Sequence, residues 1–266
     1  MPEGPEVKIA SSYYNSFFDG SKNIEFEILT EYYEKKYGEV FDCLKKNHQK
    51  DFQATFTIGK NIFLPLLSKQ YFNIHLGMTG GWSENNIKHC HFKVSADDRE
   101  LFFRDVRKFG KMKILTKIQF DSKFNPSHDL LNKSYNLDVH IDYLVQKISD
   151  KKSICSIMMD QKYFPGVGNY IKSEALYLSE IHPEEKWGKI NTKIRIKLIK
   201  NIMSVMKNSY NSGGAELKDF NNPFHLSKFK LRIYGKKMTE ENELVTSQIT
   251  SDSRKSWFCA KKQQLI

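Results

Sequence analysis

The chain changes its hydrophobic period along its length, from alternate residues to every third or fourth residue. Residues 1–20 predict a helix that ends at Gly20. Its apolar stripe consists of Val7, Ala10, Tyr14, Phe17 and Phe18. Stretches that alternate apolar and polar residues then predict strands, namely NIEFEIL, FQATFTI, YFNIHLGM, HFKVSA and RELFFRDV. Because strands recur this often, we expect an antiparallel β-sandwich rather than a single hairpin.

Beyond a connector, DSKFNPSHDLLNKS, the period becomes helical. The helical stretches are SYNLDVHIDYLVQKIS, SICSIMMDQKYF, NYIKSEALYLSEI and NTKIRIKLIKNIMSVMKNSYNSGG, the last stopped by Gly213 and Gly214. The final stretch, from FHLSKFKLRIYGKK to SRKSWFCAKKQ, is basic, aromatic and β-like. The pattern predicts an α+β protein of two domains, a β-sandwich with an N-terminal helix (1–125) and a helical domain (126–228), plus a short basic, β-like module (229–266).

The charge balance of the chain indicates a polyanionic binding partner. Among 266 residues, 42 are Lys or Arg and 31 are Asp or Glu, which gives a formal net charge of +11. A chain this basic favours nucleic acid, and we expect a basic cleft between the halves. The alternative is surface charge that serves only solubility.

Neither a membrane nor a secretory route is indicated. Apolar runs are too short for a membrane span, and the N-terminus lacks the plan of a signal peptide. The four cysteines, Cys43, Cys90, Cys155 and Cys259, are scattered without a CxxC pair. That usage is typical of a reducing, intracellular compartment.

The first residues, MPEGPEVK, have two interpretations. Pro2 at a helix start, followed by Glu3, suits a helix N-terminus. If the initiator Met is removed, however, Pro2 is a secondary amine, and an α-amino group has a pKa of about 7.7–8. Attack by such an amine on a sugar aldehyde carbon gives an iminium that cannot lose its charge and serves as an electron sink. Glu3 would then shuttle protons beside it.

Two glycine turns carry candidate phosphate ligands. PGVGNYIKSEALY places glycines before a helix, which leaves backbone N–H groups for a phosphate oxygen. Asn169 would add an amide donor there or serve as an N-cap. TIGKN places Lys60 in a turn between two apolar strands, where a lysine is otherwise solvated.

Two further stretches suit contact with bases. HLGMTG presents Met78 on a Gly-flanked tip, from which it would wedge between bases or pack at the edge of a core. RDVRKFGK places Arg107 and Phe109 on the same side of a predicted extended strand. One would reach a base edge while the other stacks on a base.

The order of these motifs resembles the formamidopyrimidine-DNA glycosylase / endonuclease VIII family from end to end. The matching stretches are MPEGPEV, GKN, HLGMTG, KHCH, RDVRKFG, DQKYFPGVGNYIKSEAL, IHP, GG, IYGKK and R-x-x-W-F-C. The resemblance implies a helix–two-turn–helix motif in the helical domain and a bifunctional DNA glycosylase/AP lyase of base excision repair. It implies a cofactor-free monomer that acts on damaged duplex DNA in the nucleus or another DNA-containing compartment. Single-stranded or bubble DNA stays open as a substrate.

The resemblance also implies catalytic roles. Pro2 would attack C1′ of the damaged nucleotide and form a Schiff base that undergoes β,δ-elimination. Glu3 would act as general acid and base. Lys60 would hold the phosphates beside the lesion, and Asn169 and Arg254 would complete a phosphate clamp.

The remaining implied roles concern DNA contact and support. Met78, Arg107 and Phe109 would fill the void left by the flipped base. His89 would contact the DNA backbone. Supporting structural roles fall to Glu6 and Glu174.

At the C-terminus the chain departs from the bacterial pattern of two CxxC pairs that bind zinc. RKSWFCAKK keeps Arg254 and Cys259, but Lys262 occupies the partner position and the first pair is absent. One thiol cannot build a four-ligand Zn²⁺ site, so we expect no metal. The stretch resembles the zincless finger of the animal Nei-like branch, which implies a β-hairpin that holds the arginine without metal. A rival site made of the KHCH motif and Cys259 would need unrelated loops to converge.

Two other departures bear on the lesion. The segment between Phe220 and IYG lacks a Gly-rich lid, and Cys155 stands near a position where bacterial enzymes carry lysine. Both favour oxidised pyrimidines (thymine glycol, 5-hydroxyuracil), ring-opened purines and hydantoins over 8-oxoguanine. The alternatives are a non-catalytic damaged-DNA or abasic-site binding protein of the same fold, and a basic structural protein that binds DNA indifferently to lesions with steep salt dependence.

Overall fold

The computed structural model describes residues 1–215, 217 and 229–265. These residues divide into two compact units, of which the first holds residues 1–2, 6–125 and 217. The second holds residues 3–5 together with residues 126–215 and 229–265. The predicted boundary at residue 228, and the segment from Phe220 to that boundary, lie outside the described residues. None of the described helices combines the length and apolar character needed to cross a membrane.

The first unit contains two four-stranded antiparallel sheets, which confirms the predicted β-sandwich. The strand orders are β1-β6-β7-β5 and β2-β3-β4-β8. The strands are β1 (Glu25–Ile28), β2 (Phe56–Ile58), β3 (Asn61–Leu66), β4 (Gln70–His75), β5 (Gly80–Ser83), β6 (Cys90–Ala96), β7 (Arg99–Asp105) and β8 (Lys111–Thr116). β3 was predicted only as the apolar strand that follows the TIGKN turn, and β5 and β8 were not among the predicted strands.

Three helices accompany these sheets, namely α1 (Gly4–Phe18), α2 (Glu31–Asn47) and α3 (Lys117–Lys123). The predicted N-terminal helix is confirmed, and Gly20 follows its end with a left-handed φ of 72°. Because α1 begins at Gly4, Pro2 precedes the helix, and the helix-entry interpretation of Pro2 is wrong. Pro5 is the proline in the first turn, where the missing N–H has no helical partner to lose.

Aromatic side chains join the two sheets in one core. Phe41 on α2 contacts Phe72 on β4 and Phe92 on β6, with ring centroids 5.8 and 5.2 Å apart and the rings edge to face. All three side chains are buried. Burying a side chain of this size stabilises a fold by about 1.5–3 kcal/mol. The core therefore fixes the sheets whose connecting turns carry the candidate residues.

The second unit is helical, as predicted, with helices α4 (Leu137–Lys147), α5 (Ile154–Met159), α6 (Asn169–Ser179) and α7 (Thr192–Asn211). Asparagine side chains cap two of them, with Asn136 accepting from Val139 N–H on α4 and Asn191 from Ile194 N–H on α7, each at 3.0 Å. α7 ends before Gly213 and Gly214, whose φ values of 84° and 94° are left-handed.

A short hairpin of β9 (Thr246–Ile249) and β10 (Lys255–Phe258) follows, in the region predicted to be β-like. Residues 229–237 of that region are not strands. They contribute one isolated bridge, between Phe229 and Ala215.

Candidate functional site

Lys60 lies in a two-residue turn between β2 and β3, as predicted, but it is not solvated. Ile58 pairs with Asn61 across the turn, and Gly59 supplies the left-handed φ of 59°. The lysine is only 8% exposed. A buried ammonium group is costly unless it has partners, so this position is built for a specific contact.

His75 stands next to this lysine and was missed by the sequence analysis. It pairs with Asn61 across the β3–β4 ladder, and its Nδ1 accepts a hydrogen bond from Gly77 N–H at 3.0 Å. Burial lowers the pKa of His75 to about 4, and the charges of Lys60, Lys111 and Lys113 contribute further. At neutral pH the imidazole is therefore uncharged, and the surrounding lysines make the locality positive. Such a locality suits a phosphate.

The turn that carries Met78 packs against the turn that carries Phe109. Gly77 has a φ of 66°, and a Cβ at this residue would lie 2.5 Å from the carbonyl carbon of Phe109. Only a glycine permits this approach of the two backbones. The structure thus brings together Met78 and Phe109, which the sequence placed in separate motifs.

Arg107 and Phe109 do not lie on a strand, so that expectation is wrong. β7 ends at Asp105 and β8 begins at Lys111, which leaves both residues in the connecting turn. Lys108 between them has a left-handed φ of 57°, which breaks the strand geometry. The two side chains nevertheless meet, with the guanidinium 4.9 Å from the centre of the half-exposed Phe109 ring.

The carboxylate of Asp105 ties these two turns together. It is fully buried and accepts hydrogen bonds from Thr79 Oγ1 at 2.6 Å, Gly110 N–H at 2.7 Å and Tyr33 OH at 3.4 Å. Thr79 Oγ1 in turn accepts from Arg107 N–H at 2.9 Å. Asp105 therefore fixes residues adjacent to Met78 and Phe109. Its only signal in the sequence is an acidic residue directly after an apolar strand.

The KHCH motif is a structural element. Of its two histidines and its cysteine, only His89 is partly exposed. His91 is buried, with Nε2 3.0 Å from the Asp105 carbonyl oxygen and Nδ1 3.1 Å from Thr30 Oγ1. The Cys90 thiol donates to the carbonyl oxygen of Asn85. Across residues 1–215, 217 and 229–265, no group of three or more His, Cys, Asp or Glu side chains is arranged to hold a metal ion.

In the second unit, Glu3 occupies the N-terminus of α6. Its buried carboxylate, 4% exposed, accepts hydrogen bonds from Tyr170 N–H at 3.0 Å and Ile171 N–H at 3.3 Å. These N–H groups were predicted to receive a phosphate, and the structure gives them to Glu3 instead. Pro2, which precedes Glu3 directly in the chain, is buried as well.

The glycines of the PGVGN motif make room for this N-terminal segment. A Cβ at Gly168 would lie 2.3 Å from Cδ of Glu3, and Gly4 N–H donates to the Gly166 carbonyl oxygen at 2.8 Å. The glycines of this motif therefore allow residues 3–4 to approach the start of α6 closely.

Asn169 is the first residue of α6, and the N-cap is Gly168, so the capping interpretation of Asn169 is wrong. Its side-chain amide donates to the Lys255 carbonyl oxygen at 2.9 Å. Because an amide group carries two N–H donors, this contact uses one of them. Asn169 thus links α6 to the hairpin that contains Arg254.

Arg254 is exposed at the end of the turn that joins β9 to β10. Its carbonyl oxygen accepts a hydrogen bond from the N–H of Thr250 at 3.0 Å. Its N–H donates to Asp252 Oδ1 at 3.3 Å. The backbone on both sides of the arginine is held while its side chain points to solvent.

Charge pairs occupy the region where the resemblance has zinc ligands. Cys259 is buried, and its thiol donates to Glu243 Oε2 at 3.3 Å. Lys261 lies 3.0 Å from Glu243 Oε1, and Lys262 forms an ion pair with Glu241. The Lys261 ammonium, followed by the Cys259 thiol, holds the pKa of Glu243 below its usual range. These contacts link residues 241–243 to residues 259–262.

Glu174 has the structural surroundings predicted for a supporting residue. Its fully buried carboxylate accepts hydrogen bonds from the N–H groups of Arg232, Ile233 and Tyr234, each at 2.9 Å. Three donors satisfy a buried carboxylate without a counter-ion. Glu174 thereby fixes the IYG motif to α6.

Cys155 is buried at the start of α5 and does not point to solvent. Its Sγ lies 3.4 Å from Ser153 Oγ and 3.3 Å from Ser251 Oγ. A buried thiol among hydroxyls offers a ligand none of the charge of a lysine. Cys155 therefore places no cation at this position.

Comparison with known families gives two matches that cover most of the chain. Residues 1–112 match the formamidopyrimidine-DNA glycosylase N-terminal domain, and residues 130–221 match the formamidopyrimidine-DNA glycosylase H2TH domain. A formamidopyrimidine-DNA glycosylase of Legionella pneumophila (strain Paris) is 32% identical over 228 residues, which are 78% of this chain and 79% of the relative. One from strain Lens is 29% identical, with both chains covered in full.

Solved structures share the fold over nearly the whole chain. The MutM (Fpg) protein of Thermus thermophilus superposes with a TM-score of 0.83 at 19% identity and covers 100% of both chains. Lactococcus lactis Fpg, solved in complex with DNA containing an abasic site, superposes with a TM-score of 0.82 at 22% identity. That alignment covers 98% of this chain and 99% of the Lactococcus chain.

Proposed function

We propose that this chain, which belongs to the formamidopyrimidine-DNA glycosylase family of base excision repair, is a bifunctional DNA glycosylase/AP lyase. The resemblance seen in the motifs is confirmed at the level of the family. That the chain belongs to the zincless, Nei-like branch of the family stays a prediction.

The proposed partner is damaged duplex DNA. A net charge of +11 supports a polyanion, and the exposed Arg107–Phe109 pair beside Met78 offers an aromatic face, a cation and a flexible apolar side chain. Such groups suit the space left when a base is flipped out, a step that costs a few kcal/mol. We propose oxidised pyrimidines, ring-opened purines and hydantoins as the lesions. The name of the Legionella relatives also refers to formamidopyrimidine.

The proposed chemistry requires that Met1 is removed, and it begins when the neutral amine of Pro2 attacks C1′ of the damaged nucleotide. The C1′–N bond to the base breaks, and the base leaves with a proton taken from water. The Glu3 carboxylate accepts the proton of the attached Pro2 nitrogen and passes it to the sugar ring oxygen as the ring opens, which leaves an iminium between Pro2 and C1′. Loss of a C2′ proton expels the 3′ phosphate, and a second elimination expels the 5′ phosphate. Water then hydrolyses the iminium and returns the free amine.

The observation that carries this proposal is the placement of Glu3. Its carboxylate is buried and held by two N–H groups of α6, one residue from the candidate nucleophile. A general acid or base must be held in place to act, and Gly168 has no side chain that would displace it. The proposed phosphate ligands are Lys60, Asn169 and Arg254.

Incision of defined duplexes tests this function. Separate 5′-labelled duplexes would carry thymine glycol, 5-hydroxyuracil, a formamidopyrimidine, 8-oxoguanine or an abasic site. We expect products with phosphate at both sides of the gap, formed fastest on the first three lesions and the abasic site. Lys60→Met should lose incision, while Lys35→Met, at an exposed lysine, should keep it. Tight binding of an abasic site without incision would instead indicate the non-catalytic alternative.

A further inference from the structure

A buried ion pair joins α6 to the turn that carries Arg254. Lys172 Nζ lies 2.5 Å from Asp252 Oδ2, and the two side chains are 0% and 3% exposed. Desolvating two charges is so costly that apolar residues of similar volume often serve stability equally well. We therefore explain this buried pair by the local geometry that it fixes rather than by a contribution to the stability of the fold.

The geometry that the pair fixes is the backbone around Arg254. The second carboxylate oxygen of Asp252, Oδ1, accepts from Thr250 Oγ1 at 2.6 Å and from Arg254 N–H at 3.3 Å. One carboxylate thus connects the turn to itself and to the helix.

A second contact on the same face of α6 holds the other side of the arginine. Asn169 lies three residues before Lys172, a spacing that places both side chains on one helix face. It donates to the carbonyl oxygen of Lys255, directly after Arg254. α6 therefore contacts the chain at Asp252, two residues before the arginine, and at Lys255, one residue after it.

The hairpin needs such an anchor because it is small. β9 and β10 pair over four residues each, and β9 is largely exposed. Isolated two-stranded hairpins are marginally stable in water. The exposed side chain of Arg254 would lack a defined position if only β9–β10 pairing held it.

We propose that the Lys172–Asp252 ion pair is a positioning device that holds Arg254 for contact with a DNA phosphate. This inference rests on the proposed function, because it assigns Arg254 to the phosphate clamp. Neither Lys172 nor Asp252 touches the DNA in this scheme, so both act through Arg254.

The test removes both charges together, since a single substitution would leave one buried charge unpaired and endanger folding. The double variant is K172M/D252N, and its matched control is K117M/D121N, which removes an exposed ion pair of similar length on α3. Each is compared with R254A and with the triple variant. Fluorescence anisotropy at several KCl concentrations would measure affinity for a duplex with a tetrahydrofuran abasic-site analogue.

We expect K172M/D252N to weaken binding about tenfold or more, as the loss of one charge-assisted hydrogen bond does. Its salt slope should fall by about 0.9, the value for one phosphate contact. The triple variant should bind no more weakly than R254A, because the pair acts through the arginine. Independent, additive losses, or unchanged affinity in K172M/D252N, would overturn the inference.

Hydrogen exchange separates this inference from the proposed function. Peptides covering residues 246–258 should exchange faster in K172M/D252N, while α7 peptides should not change. Unchanged exchange in the hairpin would refute the positioning role. A wild-type protein that neither binds nor cuts damaged DNA would refute the proposed function, and the exchange data would still decide whether the pair holds the turn.

Discussion

Replacing Asp105 with asparagine removes one hydrogen bond from the junction of the two turns that we propose contact bases, and it keeps the shape of the side chain. The carboxylate now accepts from Thr79 Oγ1 and Gly110 N–H on different oxygens. The asparagine side chain keeps one acceptor oxygen, which stays with Thr79 Oγ1. Its NH₂ group takes the place of the other oxygen and faces the Gly110 N–H. Donor then faces donor in a fully buried place.

The cost follows from the bond that is lost and the donors left unpaired. A hydrogen bond to a charged group contributes about 1.5–3 kcal/mol, and a buried unpaired donor costs about 1–3 kcal/mol, so Asp105→Asn should lower the unfolding free energy by roughly 3 kcal/mol. Part of this lost free energy destabilises only the two turns that carry Met78 and Phe109. Affinity for an abasic-site duplex should fall about tenfold, because the turns must be ordered on binding.

Urea unfolding and anisotropy binding would check both values. Asp98→Asn, at an exposed acid in the β6–β7 turn, is the matched control and should change stability by less than about 0.5 kcal/mol. Thr79→Val should reproduce much of the binding loss, since it removes the bridge from Asp105 to Arg107 N–H. If Asp105→Asn matched the control in both assays, the carboxylate would not organise these turns.

Three further predictions concern the N-terminus, the turns and pH. Glu3→Gln should slow base excision about 10²–10⁴-fold in single-turnover assays while abasic-site binding persists, because the general acid is lost; excision at the normal rate would contradict this role. Gly77→Ala should lower the melting temperature and DNA affinity, since its Cβ would lie 2.5 Å from the neighbouring turn, whereas a Cβ at Gly81 meets nothing within 4 Å and Gly81→Ala should change neither; equal effects would refute the close approach. Burial lowers the pKa of His75 and His140 to about 4, so the unfolded chain binds protons first as pH falls. Unfolding free energy, measured in urea, should be steady above about pH 6.5 and decline from there toward pH 4, and a rise over that window would be the wrong sign.

The sequence predicted those parts of the fold whose periodicity is local. α1 and the five predicted strands alternate or repeat as their burial requires, and they are present. α2 was missed because charged residues surround its few buried positions, Tyr33, Tyr37, Phe41 and Leu44. Its helical spacing is visible only when these four are singled out from a polar segment.

The candidate site could be predicted as a set of motifs but not as an arrangement. The structure brings the turn of Met78 against the turn of Phe109 at Gly77, and it gives the α6 N–H groups to Glu3. Such contacts join residues far apart in the chain, so no local pattern encodes them. Asp252 lies 80 residues from Lys172, and only the presence of lysine in the apolar stretch NYIKSEALYL signals that a buried partner is needed.

The central claim is that the N-terminal amine is the nucleophile, and locating the covalent bond to DNA tests it most directly. Protein and a thymine-glycol duplex would be mixed with borohydride, digested with protease and nuclease, and mapped by mass spectrometry. A protein whose N-terminus is blocked by an additional residue, and a Pro5→Ala variant with its amine intact, would run in parallel.

We expect a reduced adduct on the peptide that begins with Pro2, lost when the N-terminus is blocked and kept in Pro5→Ala. An adduct on Lys60 that survives the block would contradict it.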